Sequence, residues 1–303
     1  MINSMLLLGV LASSILSGTS LLFATVGEIV GERAGIVNLG LEGIMLIGAA
    51  TGFAATALTG NAYFGVAAAA LAGAAVNLVF AYLVVARRAN QLATGLTLMF
   101  FGLGLSALIG RPFVGTLIAG LPKLRLLGLG SMGNPLLNYD ILVYLAVPAA
   151  VLVWWLLFRT SWGLGLRAVG ESPVAAVAAG LNPGRLQYQA LAVAGLLGGM
   201  AGAHLSLGVT QTWAEGMTAG RGFIAIALVI FAKWNPLWAI TGALLFGGSE
   251  SLQLQLQAAG VDVSPFVMNM VPYLLTLTVL IIWGWSRQAT APAALGRNFV
   301  GVE

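Results

Sequence analysis

From Gly43 to Ala86 the sequence runs without a single Lys, Arg, Asp or Glu. A hydrocarbon core about 30 Å thick takes ~20 apolar residues in a helix. This stretch therefore crosses a bilayer twice, with Thr59-Gly60-Asn61 as the turn. Ile2 to Gly27, Ala89 to Gly110, Ile141 to Phe158, Leu186 to Ala214 and Val263 to Ser286 are likewise uncharged. From Gly222 to Gln257 the apolar run is cut by Lys233-Trp234-Asn235-Pro236, which predicts a broken or half-crossing helix. The fold class that follows is all-α: a polytopic transmembrane helix bundle of about eight to ten segments, forming one membrane domain over residues 1–303.

Composition excludes the alternatives. With 59% hydrophobic and 7% charged residues, a soluble enzyme of this size would leave large apolar patches in water. No Cys rules out a disulfide scaffold, and with one His it leaves almost no material for a zinc or haem site. A net charge of +4 is too small and scattered for nucleic acid and reads as the basic bias of cytoplasmic loops. Placing Arg87 and Arg88 inside puts Arg33, Arg159, Arg167, Arg185, Lys233, Arg287 and Arg297 inside too, against Arg111, Lys123, Arg125 and Arg221 outside. The amino terminus is then outside and the carboxyl terminus inside. Trp154, Trp155, Trp162, Trp234, Trp238, Trp283 and Trp285 flank the inside charges, at headgroup level. No basic residue precedes the first apolar run, which reads as a permanent helix rather than a cleavable signal. Arg111 to Asp140 reads as an external loop that partly re-enters.

Within the inside loop 159–185, Ser172 can cap a helix, Pro173 suits its first position, and Gly180 suits a left-handed close. A helix of two turns is unstable alone in water, so it packs on its own bundle or serves as a knob for a soluble partner. Between the first two membrane stretches, Gly27, Gly31 and Gly35 recur at close-packing spacing, amid Glu28, Glu32, Arg33 and Glu42. Charges at such depth need partners or water. Glu32 and Arg33 are expected to form a structural ion pair at the inner interface. Glu42 shares a helix face with Asn38, which allows a polar cavity wall, a cap or an interhelix hydrogen bond. Glu250 stands in the polar run Gly247 to Gln257, where Gln253, Gln255 and Gln257 at spacing two cannot share a helical face. His204 reads as a hydrogen-bonded packing residue, and Gly195, Gly198, Gly199 and Gly202 as close-packing positions.

No P-loop is present, since Lys123 and Lys233 follow Pro and Ala, and neither H-E-x-x-H nor G-x-S-x-G occurs. The chain has no catalytic constellation and no ATP site of its own.

Three blocks carry a resemblance: Gly27-Glu28 with Glu32 to Gly43; Gly165 to Gly180; and Gly220 to Ala227 with Asn235-Pro236 and Gly247-Gly248. Together they resemble the membrane permease subunits of bacterial ABC importers of the branched-chain amino acid, ribose and simple-sugar family, closest to the nucleoside and simple-sugar branch. The resemblance implies a type II importer fold in the cytoplasmic membrane, paired with a second permease, more a heterodimer than a homodimer. It implies two ATP-binding subunits or one tandem ATPase carrying ATP-Mg, and an external solute-binding protein. Arg167, Glu171, Ser172, Pro173, Ala175, Ala176, Ala179 and Gly180 resemble the ATPase-coupling segment, and the Asn38 to Glu42 block the wall of the translocation path, to which Glu250 is added as a candidate. The implied function is half of a pathway for a nucleoside or simple sugar, working by alternating access. An ion-coupled secondary transporter, titrating Glu28, Glu42 or Glu250, is the alternative.

Overall fold

The computed structural model describes residues 4–125, 138–258 and 291–297, with isolated positions between 264 and 281. The expected span Val263 to Ser286 falls mostly outside the described residues, as do Trp283, Trp285 and Arg287 and the side chains of Arg125, Gln253 and Gln257.

Helices α1 (Ser4–Arg33), α2 (Leu41–Thr59), α3 (Ala62–Ala81), α4 (Gln91–Gly110) and α5 (Ile141–Arg159) come first. Then follow α6 (Ser161–Glu171), α7 (Pro173–Ala178), α8 (Pro183–Ala203), α9 (Arg221–Phe231) and α10 (Pro236–Ala258). Among the described residues six helices are long and apolar enough to cross a membrane, and Arg221–Phe231 is a shorter apolar one. A bilayer offers the backbone no water, so each segment closes its hydrogen bonds within a helix. The only strands described, β1 (Lys123–Arg125) and β2 (Asn138–Asp140), pair antiparallel beside the start of α5.

The boundaries are chemical. Gly60 turns the chain in the left-handed region (φ 71°) and the Asn61 side chain accepts from Tyr63 N and Phe64 N, closing the α2–α3 hairpin. Asn90, Asp140, Thr160, Ser172 and Asn182 cap α4 to α8 in the same way.

The core is a glycine seam. A Cβ on Gly48 of α2 would lie 2.5 Å from the Gly199 carbonyl oxygen of α8, and one on Gly199 would run into Ala69 of α3. The three backbones touch, which is how helices associate where lipid gives no hydrophobic drive. Gly199→Val is therefore expected to wedge α2, α3 and α8 apart and cost about 1–3 kcal/mol or more; thermal unfolding of the purified protein in detergent measures it.

The depth of α9 differs from the expected topology. Arg221 was expected in an outer loop, but its Nη1 donates to Ser20 Oγ at 3.2 Å. At 1.5 Å per residue, Ser20 lies about 20 Å along α1 from Arg33, near the middle of the span Leu8–Arg33. At the other end of α9, Arg33 Nε donates to the Trp234 carbonyl at 3.0 Å. Helix α9 thus runs only from mid-bundle to the end that carries α7, the half-crossing piece anticipated before Lys233.

Candidate functional site

Two breaks in the helical framework meet inside the bundle, one at 34–40 and one before α9. At the first, Glu28 Oε1 accepts from Asn38 N (2.9 Å), while Asn38 Oδ1 accepts from Gly40 N (2.8 Å) and Asn38 Nδ2 donates to Asn77 Oδ1 (2.8 Å). Asn77 Nδ2 donates onward to the Leu191 carbonyl (2.6 Å), so one buried chain ties α1, the break, α3 and α8. At the second, Glu42 Oε1 accepts from Thr218 Oγ1 (2.6 Å) and Gly220 N (2.8 Å), and Oε2 from Gly222 N (2.5 Å). Glu42 is an interhelical cap: its negative charge faces the amino terminus of α9, where free amides and the helix dipole favour an anion. Gly222 permits the approach, since a Cβ there would lie 2.5 Å from the Glu42 backbone.

Asn38 and Glu42 are 1% and 6% exposed. Of the roles left open for them, the geometry supplies the cap and the interhelical bond; neither side chain faces open space. Gly35, with φ at 87°, belongs to the break and not to the packing stripe of Gly27 and Gly31.

The ion pair expected between Glu32 and Arg33 is absent. Neighbours on a helix point about 100° apart, and both side chains go instead to Trp234: Glu32 Oε2 accepts from its indole Nε1 (2.5 Å) and Arg33 binds its carbonyl. The Arg33 guanidinium also lies 5.5 Å from the Phe158 ring centroid.

Glu250, the third candidate for the path, pairs with Arg221 at mid-depth. The Arg221 and Glu250 side chains are 15% and 40% exposed, amid exposed apolar groups such as Phe223, Leu244 and Leu252. A charge facing lipid at this depth costs at least ~2.5–3.5 kcal/mol by insertion scales, so an exposed pair marks a face turned to water or to protein.

In the coupling segment, Ser172 Oγ accepts from Ala175 N (3.2 Å), Pro173 opens α7, and Gly180 closes it at φ 79°. Val174, Ala175, Val177 and Ala179 are exposed, whereas Ala176 is buried against the bundle. Ala176 is thus a seat for α7 and not part of its free face. Arg167 donates from Nε to the Leu157 carbonyl (3.1 Å) and stacks 5.0 Å from the Phe158 centroid, anchoring α6 to α5. Glu171 Oε2 accepts from Ala293 N (3.3 Å), Gly170 O from Ala294 N (2.9 Å), and Gly35 O from Gly296 N (3.2 Å). The turn at 292–297 therefore ties the α6–α7 loop to the break after α1.

Sequence reasoning missed Asn77, Arg221 and Trp234 as partners. Asn77 was detectable as a lone amide in an apolar run. The partners of Arg221 and Trp234 come from distant elements and leave no local pattern.

Residues 10–282 match the family described as branched-chain amino acid transport system / permease component. The chain is 37% identical to the putative glucose ABC transporter permease protein TsgC13 of Haloferax volcanii, over 96% of this chain and 97% of that one. It is 31% identical to the guanosine ABC transporter permease protein NupQ of Bacillus subtilis, over 96% of each. It is 33% identical to the nucleoside ABC transporter permease protein NupC of Lactococcus lactis, again over 96% of each. No solved structure matches it. The chain belongs to this permease family: it is a multi-pass membrane transport subunit of the ABC kind, with separate ATP-driven partners, and not an enzyme.

Proposed function

We propose that this chain forms half of the pathway of an importer for a nucleoside, with simple sugars as the next class, and that α7 is the lever by which ATP-Mg on partner subunits drives it. The observation that carries the reading is the free face of α7. A six-residue helix, capped at both ends and presenting Val174, Ala175 and Val177 outward, has the form of a part that seats in another protein. The end bearing α7 also carries Arg33, Arg87, Arg88, Arg159, Arg185 and Lys233, as a cytoplasmic end does. A second permease chain would cover the α9–α10 face, with Arg221 and Glu250 on the pathway between them, and an external binding protein would load the opposite end. The tie from α7 through residues 292–297 to the break at Gly35 supports a rigid-body push that tilts the bundle in alternating access. Relatives named for guanosine, nucleoside and glucose support a neutral, hydroxyl-rich solute.

Ion coupling is less favoured by the geometry, because Glu28 and Glu42 serve as acceptors for backbone amides and Glu250 is held by Arg221.

Val177→Glu tests the lever. An unpaired carboxylate buried in an apolar interface costs several kcal/mol, so ATPase-subunit binding should fall roughly a hundredfold or more while the melting temperature of the subunit holds. Ala176→Leu should behave oppositely, destabilising the subunit by about 1–3 kcal/mol because that site is filled. Copurification of the ATPase and thermal melting separate the two. Wild-type copurification of Val177→Glu would remove the lever.

A further inference from the structure

At the end of the bundle opposite α7 lies a cavity of about 380 Å³ lined by Lys123, Asn138, Tyr139, Asp140, Gly208 and Gln211, among others. That volume is within the range of ~300–1,000 Å³ typical of small-molecule sites. Its wall is built rather than accidental. Antiparallel pairing of β1 and β2 sets Lys123 opposite Asp140. Asp140 Oδ1 accepts from Leu142 N (2.9 Å) and Val143 N (3.3 Å), so the carboxylate is fixed by capping α5. Its second oxygen, Oδ2, is not used by the cap.

Behind that oxygen stands His204, wholly buried at the start of a π-helical turn, His204–Val209. Its Nε2 is 3.6 Å from Asp140 Oδ2, and neither ring nitrogen has a hydrogen-bond partner. The expectation of a hydrogen-bonded packing histidine is not met. The ring is held against Asp140 by that ion-pair contact rather than by a hydrogen bond. Gly208 keeps the approach open: a Cβ there would lie 2.9 Å from the His204 ring and 3.0 Å from Asp140 Oδ2. Burial pushes the Asp140 carboxyl up, but the facing His204 and the amides of Val143 and Leu142 outweigh it and hold the group below its ordinary value. At neutral pH it is an anion and accepts only.

We propose that this cavity binds the sugar-ring hydroxyls of a neutral solute, as a loading site at the end of the permease away from its motor. The inference rests on the importer reading above and adds a site to it. A carboxylate oxygen takes the hydrogens of a vicinal diol, the amides of Asn138 and Gln211 both donate and accept, and the Lys123 ammonium donates. Lys123 beside Asp140 also makes the cavity a poor seat for a bare cation, so a polar neutral molecule fits it best. Nucleosides and free sugars share this diol chemistry.

The test uses the assembled transporter in nanodiscs without nucleotide, probed with guanosine and with glucose by saturation-transfer NMR, beside uptake kinetics. Gln211→Trp fills the mouth. Asp140→Asn removes the charge while retaining the cap of α5, since Asn caps as well as Asp. The expected result is binding of at least one probe by the wild type, weakened tenfold or more in both variants, with KM raised and kcat held. The probe that binds names the source of the diol. Should Gln211→Trp fail to assemble, Asn138→Trp fills the same cavity from β2. Wild-type protein that binds neither probe, or variants whose binding and KM stay within twofold, would overturn the loading site. In either case, ATP-driven uptake by the wild type leaves the importer reading standing.

Discussion

A Glu42→Ala variant is expected to be recovered in low yield and to melt far below the wild type. The substitution strips the acceptor from Thr218 Oγ1, Gly220 N and Gly222 N at once, where Thr218 and Gly222 are buried and Gly220 is half-buried. Each buried donor left unpaired costs about 1–3 kcal/mol, so the three together are comparable with the ~5–15 kcal/mol that holds a typical domain folded. Glu42→Gln keeps one acceptor oxygen and turns an amide donor toward the others, and should fall between the two. Melting temperature and size-exclusion profile in detergent give the ranking. In the Gln variant that still assembles, KM for the solute should match the wild type, because the carboxylate faces α9 and not a cavity. If Glu42→Ala melts like the wild type and changes only solute preference, the capping role is wrong.

The second large effect is expected at Arg221 and Glu250, and it takes a double-mutant cycle to see. Removing one partner leaves a charge at mid-membrane depth without its counter-ion, a change worth about 3–5 kcal/mol when the pair is buried and less in proportion to the exposure of Glu250. Arg221→Ala and Glu250→Ala should therefore each be markedly destabilised. The double variant, which leaves no orphan charge, should recover much of the loss. Uptake should be lost in all three, since the polar surface on the α9–α10 face is gone even where stability returns. Purely additive destabilisation together with normal uptake would show that the pair is neither coupled nor part of the pathway.

Both predictions concern residues whose roles were unevenly legible. Glu42 stood out as a charge beside an apolar run, and a cap was among its open roles, but its donors lie about 180 positions away and nothing local points to them. Glu32 and Arg33 are adjacent, which made a mutual pair the simple expectation. Helical geometry turns them apart, and the backbone and indole of Trp234 take both. Arg221 was placed by alternating the crossings, a rule that holds only when every segment spans. A chain that re-enters to mid-depth and starts a half-helix there breaks the rule at that one residue.

The features legible from the residues alone were those with short-range causes. Uncharged length dictated membrane helices because lipid leaves the backbone no other partner. Asn61, Ser172, Pro173 and Gly180 dictated where helices start and stop, because a cap or a left-handed turn depends on a few neighbouring residues. Depth, facing and pairing belong to the assembled bundle: that Ala176 turns inward, that Asn38 reaches Asn77, that His204 faces Asp140 without a hydrogen bond. These depend on which distant backbones the glycine seam lets come together, and an uncompensated charge or amide in a medium without water takes whichever partner that packing brings within reach.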